Sequence, residues 1–301
     1  ADMSNLYADI TNLRITEALS AEFLLLLADR GSLSNHPAIV FAGDAAASGS
    51  KTVRLSHIGL MGYDRLASVA DGASSTSTDF STDKTDISVG RYAKNYSITD
   101  LASATGSNGL IDPASLAADA VASYNTTLSD LIAALMGGFT NTVTATTTLT
   151  VANVLSAISQ LEQENAQGPY MMVLHPKQYG DLRSDIATAS AGAVQWAESS
   201  QQQLIQMGSN YKGKFLGVDV FVSSAVPVTG GTDYTGAVFA RGAVAFADMS
   251  VNEPDAINIG GKVLFERDRT AASGTTAYVS SAFLGVSECI DDAGVTLISD
   301  I

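Results

Sequence analysis

The sequence predicts an α+β fold organised around one long helix, and three observations lead there. Between Asp112-Pro113 and Gly137-Gly138, the residues Leu116, Ala120, Tyr124, Leu128, Leu131 and Leu135 recur every three or four positions, laying one apolar stripe on a helix. The last third of the chain is a series of short segments rich in β-branched and aromatic residues, parted by Gly and Asp. A Ser/Thr-rich stretch, Asp71–Ser88, lies between two β-like segments and holds only Phe80 and Ile87 as large apolar residues. Such a stretch cannot form its own core, so it reads as the polar tip of a long projecting hairpin.

Composition sets the limits. The chain has 301 residues, 46% of them apolar, and a mean hydropathy of +0.17, which is enough for one large or two interleaved globular units. The longest apolar run, Phe23–Ala28, is far too short to cross a bilayer. The opening Ala1-Asp2-Met3-Ser4 carries acidic rather than basic charge, so no signal peptide is expected there; an earlier, already processed leader stays open. The single cysteine, Cys289, excludes an intrachain disulfide and a cysteine-based zinc site, and its apolar setting reads as a small buried hydrophobe. With 31 acidic residues against 16 basic, the net charge is −15. Gripping nucleic acid or an anionic membrane calls for an excess of Lys and Arg, so the charge balance argues against a dedicated nucleic-acid reader and against a polybasic anchor.

In chain order, Leu13, Glu17, Leu19, Phe23, Leu24 and Leu27 predict a first helix that Gly31 and Ser32-Leu33-Ser34 end. Leu24–Leu27 is apolar all round and must be covered by this chain or by a neighbour. From His36-Pro37 to Ser50 the sequence reads as a small-residue connector. Lys51–His57 alternates polar and apolar as a half-buried strand, and Ile87–Ile98 supplies the strand after the polar tip. Asp112 caps the long helix and Pro113 suits its first position. Over Pro113–Met136 that helix would run about 36 Å, a beam for other elements to lie across. Thr140–Thr148 is β-prone. Val151, Val154, Leu155, Ile158 and Leu161 then define one face of a second helix.

Gln167-Gly168-Pro169 turns the chain into a buried strand, Tyr170–Leu174, which His175-Pro176 ends before a third helix over Lys177–Arg183. Thr188–Gly208 is rich in Ala, Ser and Gln and carries the only tryptophan, Trp196, read as core or interface. Phe215–Val222 is a strand pair or one long strand. Pro227–Gly231 is a loop, and Ala237–Ala240 and Ala243–Phe246 are strands about Arg241-Gly242. Val263–Phe265, Tyr278-Val279, Phe283–Val286 and Val295–Ile298 close the chain, with turns at Gly274 and Asp291–Gly294. There is no internal repeat.

No catalytic motif is found: neither a phosphate-cradling Gly loop, a dinucleotide fingerprint, a nucleophile elbow nor a zinc-type His/Glu pair. His36, His57 and His175 are scattered, and His175 reads as a helix cap or packing residue. Asp79, Asp83 and Asp86 do not match the spacing of a calcium loop and read as a solvated acidic tip. The expectation is a non-enzymatic protein with no metal and no cofactor.

The order of these pieces resembles the tailed-phage major capsid proteins of the Hong Kong 97 type. Gly168–Tyr179 looks like that family's strand–(Asn/His)-Pro–helix step, Leu216–Pro227 like its Gly-x-(Pro/Asp)-Val strand, and Gly236–Val244 like the strand and turn that lead back to its peripheral domain. Glu266-Arg267-Asp268-Arg269 resembles its charged loop before the final strands. The resemblance spans nearly the whole chain. It implies a Hong Kong 97-like α+β capsid fold: an N-terminal arm (1–47), an extended hairpin loop (48–100), a peripheral domain with the spine helix (101–150), an axial domain (151–240) and peripheral return strands (241–301). It further implies a structural subunit that forms homo-pentamers and homo-hexamers and closes them into an icosahedral shell around phage double-stranded DNA, held non-specifically. The implied site is the virion capsid, assembled in the host bacterial cytoplasm. Portal, scaffold or decoration proteins are the implied partners, and no membrane is involved.

In the family the extended loop of one subunit reaches over the peripheral domain of another. The matching groups here are Lys84, Asp86, Arg91 and Lys94 on or beside the loop, and Glu266, Arg267, Asp268 and Arg269 on the peripheral side. Two Arg in that cluster suit two-pronged pairing with carboxylates; the plainer reading of the cluster is a solvated turn. Some members weld neighbours by a Lys–Asn isopeptide bond. Lys84 and Lys94 lie in the loop, but Thr275–Val286 contains neither Asn nor Glu, so that bond is not carried over. Rival readings are an encapsulin-type compartment on the same fold, a secreted acidic surface or adhesion protein, and an α/β enzyme with an unrecognised site.

Overall fold

In the computed structural model the described residues are 33–58, 68–74, 82–100, 113–145, 147–188, 196–197, 210–251 and 256–300. Their strands are β1 (Ile39–Asp44), β2 (Thr52–Ile58), β3 (Thr82–Ser88), β4 (Gly90–Thr99), β5 (Thr142–Thr144), β6 (Met171–Leu174), β7 (Trp196–Ala197), β8 (Tyr211–Phe215), β9 (Val218–Val222) and β10 (Val228–Thr229). They continue with β11 (Asp233–Phe239), β12 (Val244–Asp248), β13 (Ile257–Ile259), β14 (Val263–Thr270), β15 (Thr275–Glu288) and β16 (Gly294–Asp300). The α-helices are α1 (Ala45–Ser48), α2 (Pro113–Ala134), α3 (Val151–Gln163) and α4 (Pro176–Thr188).

The apolar stripe becomes α2, 22 residues long. Ala120, Val121, Tyr124, Leu128 and Ile132 are buried along it, and Met136 just past its end. The helix tightens and stops as the amides of Leu135 and Met136 turn to carbonyls three residues back, and Gly138 donates to the carbonyl of Leu135. This helix lies across β14 and β15 of a six-stranded sheet ordered β1-β12-β15-β14-β13, with β4 also paired to β15.

An eight-stranded sheet, ordered β5-β16-β11-β6-β9-β8-β7 with β10 on β11, carries α3 and α4. Thr150 caps α3 by accepting from the Asn153 amide. That helix buries Val154, Ala157, Ile158 and Leu161, while Leu155, expected on the same face, is 46% exposed. One continuous core joins α2 to both sheets. A smaller cluster of Val53, Ile87, Val89, Ala45, Ala245 and Ala247 sits at the root of the β2–β3 hairpin.

Several expectations change. The connector over 36–50 contains a strand and a helical turn. β1 runs parallel to β12, Ile39 beside Val244, and Asp44 caps α1 through the Ala46 amide at 2.8 Å. The hairpin pairs β2 with β3, from Thr52 opposite Ser88 to Ile58 opposite Thr82, so 82–88 is strand and not polar tip. The segment after it, β4, pairs instead with β15 over its whole length. Glu266–Arg269 is not a loop but the outer half of β14. Of the two readings of Phe215–Val222, the structure shows the strand pair, a hairpin turned at Leu216-Gly217, where both residues take positive φ (51° and 83°).

β11 and β12 flank Arg241-Gly242 as expected but belong to different sheets, so that turn is a crossing between them. The last strand, β16, grouped with the return strands by sequence, is hydrogen-bonded to β11 and β5 in the eight-stranded sheet. The first predicted helix, the Asp112 cap, the acidic residue Asp79 and the side chains of His57, Asp83 and Trp196 fall outside what is described.

Candidate assembly interface

Alternation along β2 and β3 puts polar side chains on one face of the hairpin and the apolar root residues on the other. Register sets Arg54 opposite Asp86. The guanidinium grips the carboxylate with two bonds, Nε to Oδ1 at 2.7 Å and Nη2 to Oδ2 at 3.0 Å. That grip holds Asp86 below the usual carboxylate range. Lys84 stands exposed one pleat further out, opposite Ser56.

The hairpin is hung tightly from β15. Ile87 is fully buried, the Thr85 hydroxyl donates to the Cys289 carbonyl at 3.4 Å, and the Val89 amide donates to the Lys51 carbonyl at 2.8 Å. Gly285 of β15 passes so close that a Cβ there would sit 2.4 Å from the Ser88 carbonyl oxygen.

On β4, Arg91 donates from Nε and Nη2 to the Ser281 hydroxyl at 3.3 and 2.9 Å. Lys94 Nζ donates to Asp119 on α2 at 2.6 Å and to Ser123 at 3.3 Å, and the Tyr96 hydroxyl donates to the same Asp119 oxygen at 2.6 Å. Asp119 and Tyr96 raise the Lys94 ammonium above its ordinary value, and Lys94 lowers the Asp119 carboxyl. These bonds pin β4 to the spine helix.

In its outer half β14 becomes a charged ribbon. Arg267, Asp268 and Arg269 are exposed and Glu266 is half-buried. Arg267 lies 6.0 Å over the Tyr278 ring, and Arg269 Nη2 donates to Asp100 Oδ2 at 2.9 Å. Asp100 in turn donates its amide to the Gly274 carbonyl at 2.8 Å, tying the ends of β4 and β15.

The eight residues singled out by sequence therefore occupy three places. Arg91 and Lys94 share a sheet with Glu266–Arg269 through β15. Lys84 and Asp86 stand on the separate hairpin. Three participants were not foreseen. Arg54 was legible in principle from its alternating strand, but Asp100 and Asp119 become partners only through tertiary register.

Two further polar clusters tie elements of the fold together. His36 accepts the Ala38 amide at Nδ1 (3.2 Å), which leaves Nε2 as the N–H that faces Asp219 at 3.1 Å. Tyr211 donates to the other Asp219 oxygen at 2.9 Å, and Lys214 lies 3.6 Å away. Burial pushes the Asp219 carboxyl up, but the bonds from His36 and Tyr211 and the Lys214 charge together hold it down. His175 caps α4 by accepting the Lys177 amide at Nδ1 (3.2 Å) and stacks on Tyr234 at 3.8 Å. Among the described residues, no helix is long and apolar enough to cross a membrane.

A sequence model described as phage capsid protein matches residues 82–289, well over half of the chain. No curated protein matches at the sequence level. Among solved structures, that of Mycobacterium phage Che8 matches with TM-score 0.60 and 16% identity, covering 86% of this chain and 89% of that one. The acid-stable capsid of Helicobacter pylori bacteriophage KHP30 matches with TM-score 0.59 and 14% identity, covering 90% and 92%. The SrpI encapsulin of Synechococcus elongatus matches with TM-score 0.58 and 13% identity, covering 82% and 81%. At these identities the likeness is one of fold.

Proposed function

The chain belongs to the phage capsid protein family, and from that premise we propose that it is the major capsid protein of a tailed phage, joining into pentamers and hexamers that close an icosahedral shell around double-stranded DNA. The observation that carries this reading is the β2–β3 hairpin. It is anchored at its root by its own small core and by Gly285, yet beyond the root it carries an exposed Arg54–Asp86 pair and Lys84. A ribbon held at one end and charged along its length has no work to do inside one subunit. Laid over the charged end of β14 in the next copy, it joins subunits head to tail, the kind of contact that closes rings.

In this role the six-stranded sheet with α2 is the peripheral part and the eight-stranded sheet with α3 and α4 the axial part. A net charge of −15 suits a container that must not hold its DNA tightly. Crowding such subunits costs repulsion that salt screens over about 8–10 Å, so shells gain stability as salt or divalent ions rise. A portal and scaffold or decoration proteins are the further partners that the role calls for, with assembly in the host cytoplasm before the shell becomes part of the virion.

An encapsulin-type compartment is the second reading, because the SrpI fold is also similar; the family match over 82–289 favours the phage shell. The experiment is the double variant Arg267→Glu with Arg269→Glu, followed by electron microscopy and thermal unfolding. The expected result is a folded subunit that still forms rings but no closed shells. Normal shells at unchanged thermal stability would reduce the cluster to a surface feature.

A further inference from the structure

Among the described residues, three short connections carry the chain between the two sheets. They run from α2 to β5 (Leu135–Asn141), from β11 to β12 (Ala240–Ala243) and from β15 to β16 (Cys289–Ala293). All three meet at one place. The Ala240 amide donates to the Ala293 carbonyl at 2.8 Å, and the Cys289 amide to the Ala243 carbonyl at 2.8 Å. The Thr140 amide donates to Asp291 Oδ1 at 2.8 Å, and the Thr296 hydroxyl on β16 to the Met136 carbonyl at 3.1 Å. A Cβ at Gly294 would run into the Phe139 ring, so the connection after α2 lies directly on the start of β16. Crossings gathered at one point form a joint about which two packed halves can turn.

Glu288 and Asp291 sit in this joint, both half-buried. Glu288 closes β15 opposite Val244, the first residue of β12. Its Oε2 comes within 2.6 Å of the place a Cβ on Gly138 would take, so the glycine after the spine helix is what admits the carboxyl. Glu288 and Asp291 are hydrogen-bonded to each other, and two carboxyl groups can bond only with a proton between them. Burial and Asp291 push Glu288 up to about 7. Burial also pushes Asp291 up, but its bonds with Thr140 and Glu288 hold it below its ordinary value. The other charged residues of the three connections are Asp292 and Arg241, both exposed; the connection after α2 carries none. From the β2–β3 hairpin the Thr85 hydroxyl reaches the Cys289 carbonyl, and burial pushes the Cys289 thiol up.

We propose that Glu288 and Asp291 form a proton-operated clasp on the joint between the two sheets. With the shared proton in place, Glu288 donates to Asp291 and Asp291 accepts the Thr140 amide. The end of the spine helix is thereby held to the β15–β16 turn. When the proton leaves to solvent, two carboxylates stand a hydrogen bond apart and repel. Asp291 moves away, the Thr140 bond breaks, and the sheets turn about the joint. The clasp is closed below neutral pH and opens above it. It works within one subunit, whether or not that subunit builds a shell.

The test is amide hydrogen exchange of the full chain at about pH 6 and about pH 8.5, corrected for intrinsic chemical rates. Thr140, Ala240 and Cys289 are the reporters, because their amides bridge the connections. An open state with Glu288 at its ordinary 4.5, against a closed state at about 7, makes opening about tenfold more frequent at the higher pH. The reporters are expected to lose protection by about that factor, while Met172 and Val220, paired inside the eight-stranded sheet, keep theirs. Glu288→Gln still offers Asp291 an N–H but cannot titrate, so the loss is expected to vanish. Asp291→Asn removes the charge that raises Glu288, so the loss is expected to move to lower pH. Each variant is read with its circular dichroism spectrum retained, and the parent chain with either one decides. Equal protection of the reporters at both pH values would overturn the inference. So would a loss that persists in Glu288→Gln, one that stays in place in Asp291→Asn, or one shared equally by Met172 and Val220.

Discussion

Gly285→Ala is the sharpest probe of how the hairpin is hung. A Cβ at that position would lie 2.4 Å from the Ser88 carbonyl oxygen, 2.9 Å from the Ser88 carbonyl carbon and 3.1 Å from Ile87 Cγ2. Two of those atoms are backbone, and Ile87 is fully buried, so no flexible tip can swing aside. Relief requires β3 and β15 to part by about 1 Å, in a region packed as densely as an organic crystal. Overpacking of this kind costs about 1–3 kcal/mol, and the backbone contact places Gly285→Ala at the upper end. For a chain of this size each kcal/mol moves Tm by about 2–4 °C, so a fall of roughly 5–10 °C is expected in thermal unfolding of the free subunit. Gly180→Ala is the opposite-signed control. It lies inside α4 with nothing within 4 Å of the new methyl, so removing a helix glycine should stabilise by about 0.5–1 kcal/mol. If Gly285→Ala melts within about 1 °C of the parent, smaller than the shift of even 1 kcal/mol, the tight root does not exist.

Glu288 gives a pH prediction. Burial and the neighbouring Asp291 push its carboxyl from 4.5 to about 7. The folded state thus binds this proton more tightly than the unfolded chain does. The contribution is fully present below about 4.5 and is lost as pH rises through about 7. Glu288→Gln should therefore flatten the fall of Tm between those pH values and raise Tm at pH 8 (roughly one unit above the titration); an identical Tm profile in the variant would refute the assignment. His36→Ala should cost about 2–3 kcal/mol in urea unfolding, because it leaves one oxygen of the buried Asp219 without its hydrogen-bond donor. An unchanged midpoint would mean that the tie between the entering chain and the β8–β9 hairpin carries nothing.

What was legible in the sequence is what depends on local pattern. The 3.6-residue period of Leu116 to Leu135 fixed the spine helix to within two residues at its end, and His175-Pro176 marked the step from strand to helix, whereas the Thr150 cap and the Leu216-Gly217 turn emerge only in the structure. What was missed depends on partners far along the chain. Ile39–Asp44 looked like a connector because small residues follow it, and it becomes a strand only by lying parallel to Val244–Asp248. Arg91 to Ile98 alternates as a strand should, but nothing local chooses β15 over β2 as its partner. Four consecutive charges at Glu266–Arg269 looked like a loop. They are tolerated in a strand because the outer part of β14, Arg267–Thr270, is exposed on both faces of the pleat. The candidate interface was legible as charge concentration and illegible as pairing, since Asp100 meets Arg269 across three strands.

Cryo-electron microscopy of the purified full-length chain, at raised salt and high concentration, tests the central claim most directly. The account predicts closed icosahedral particles built from rings of five and six copies, with the β2–β3 hairpin of each copy lying over the outer half of β14 in the next. Particles in which that hairpin points into solvent, or a protein that stays monomeric at every salt and concentration, would contradict it.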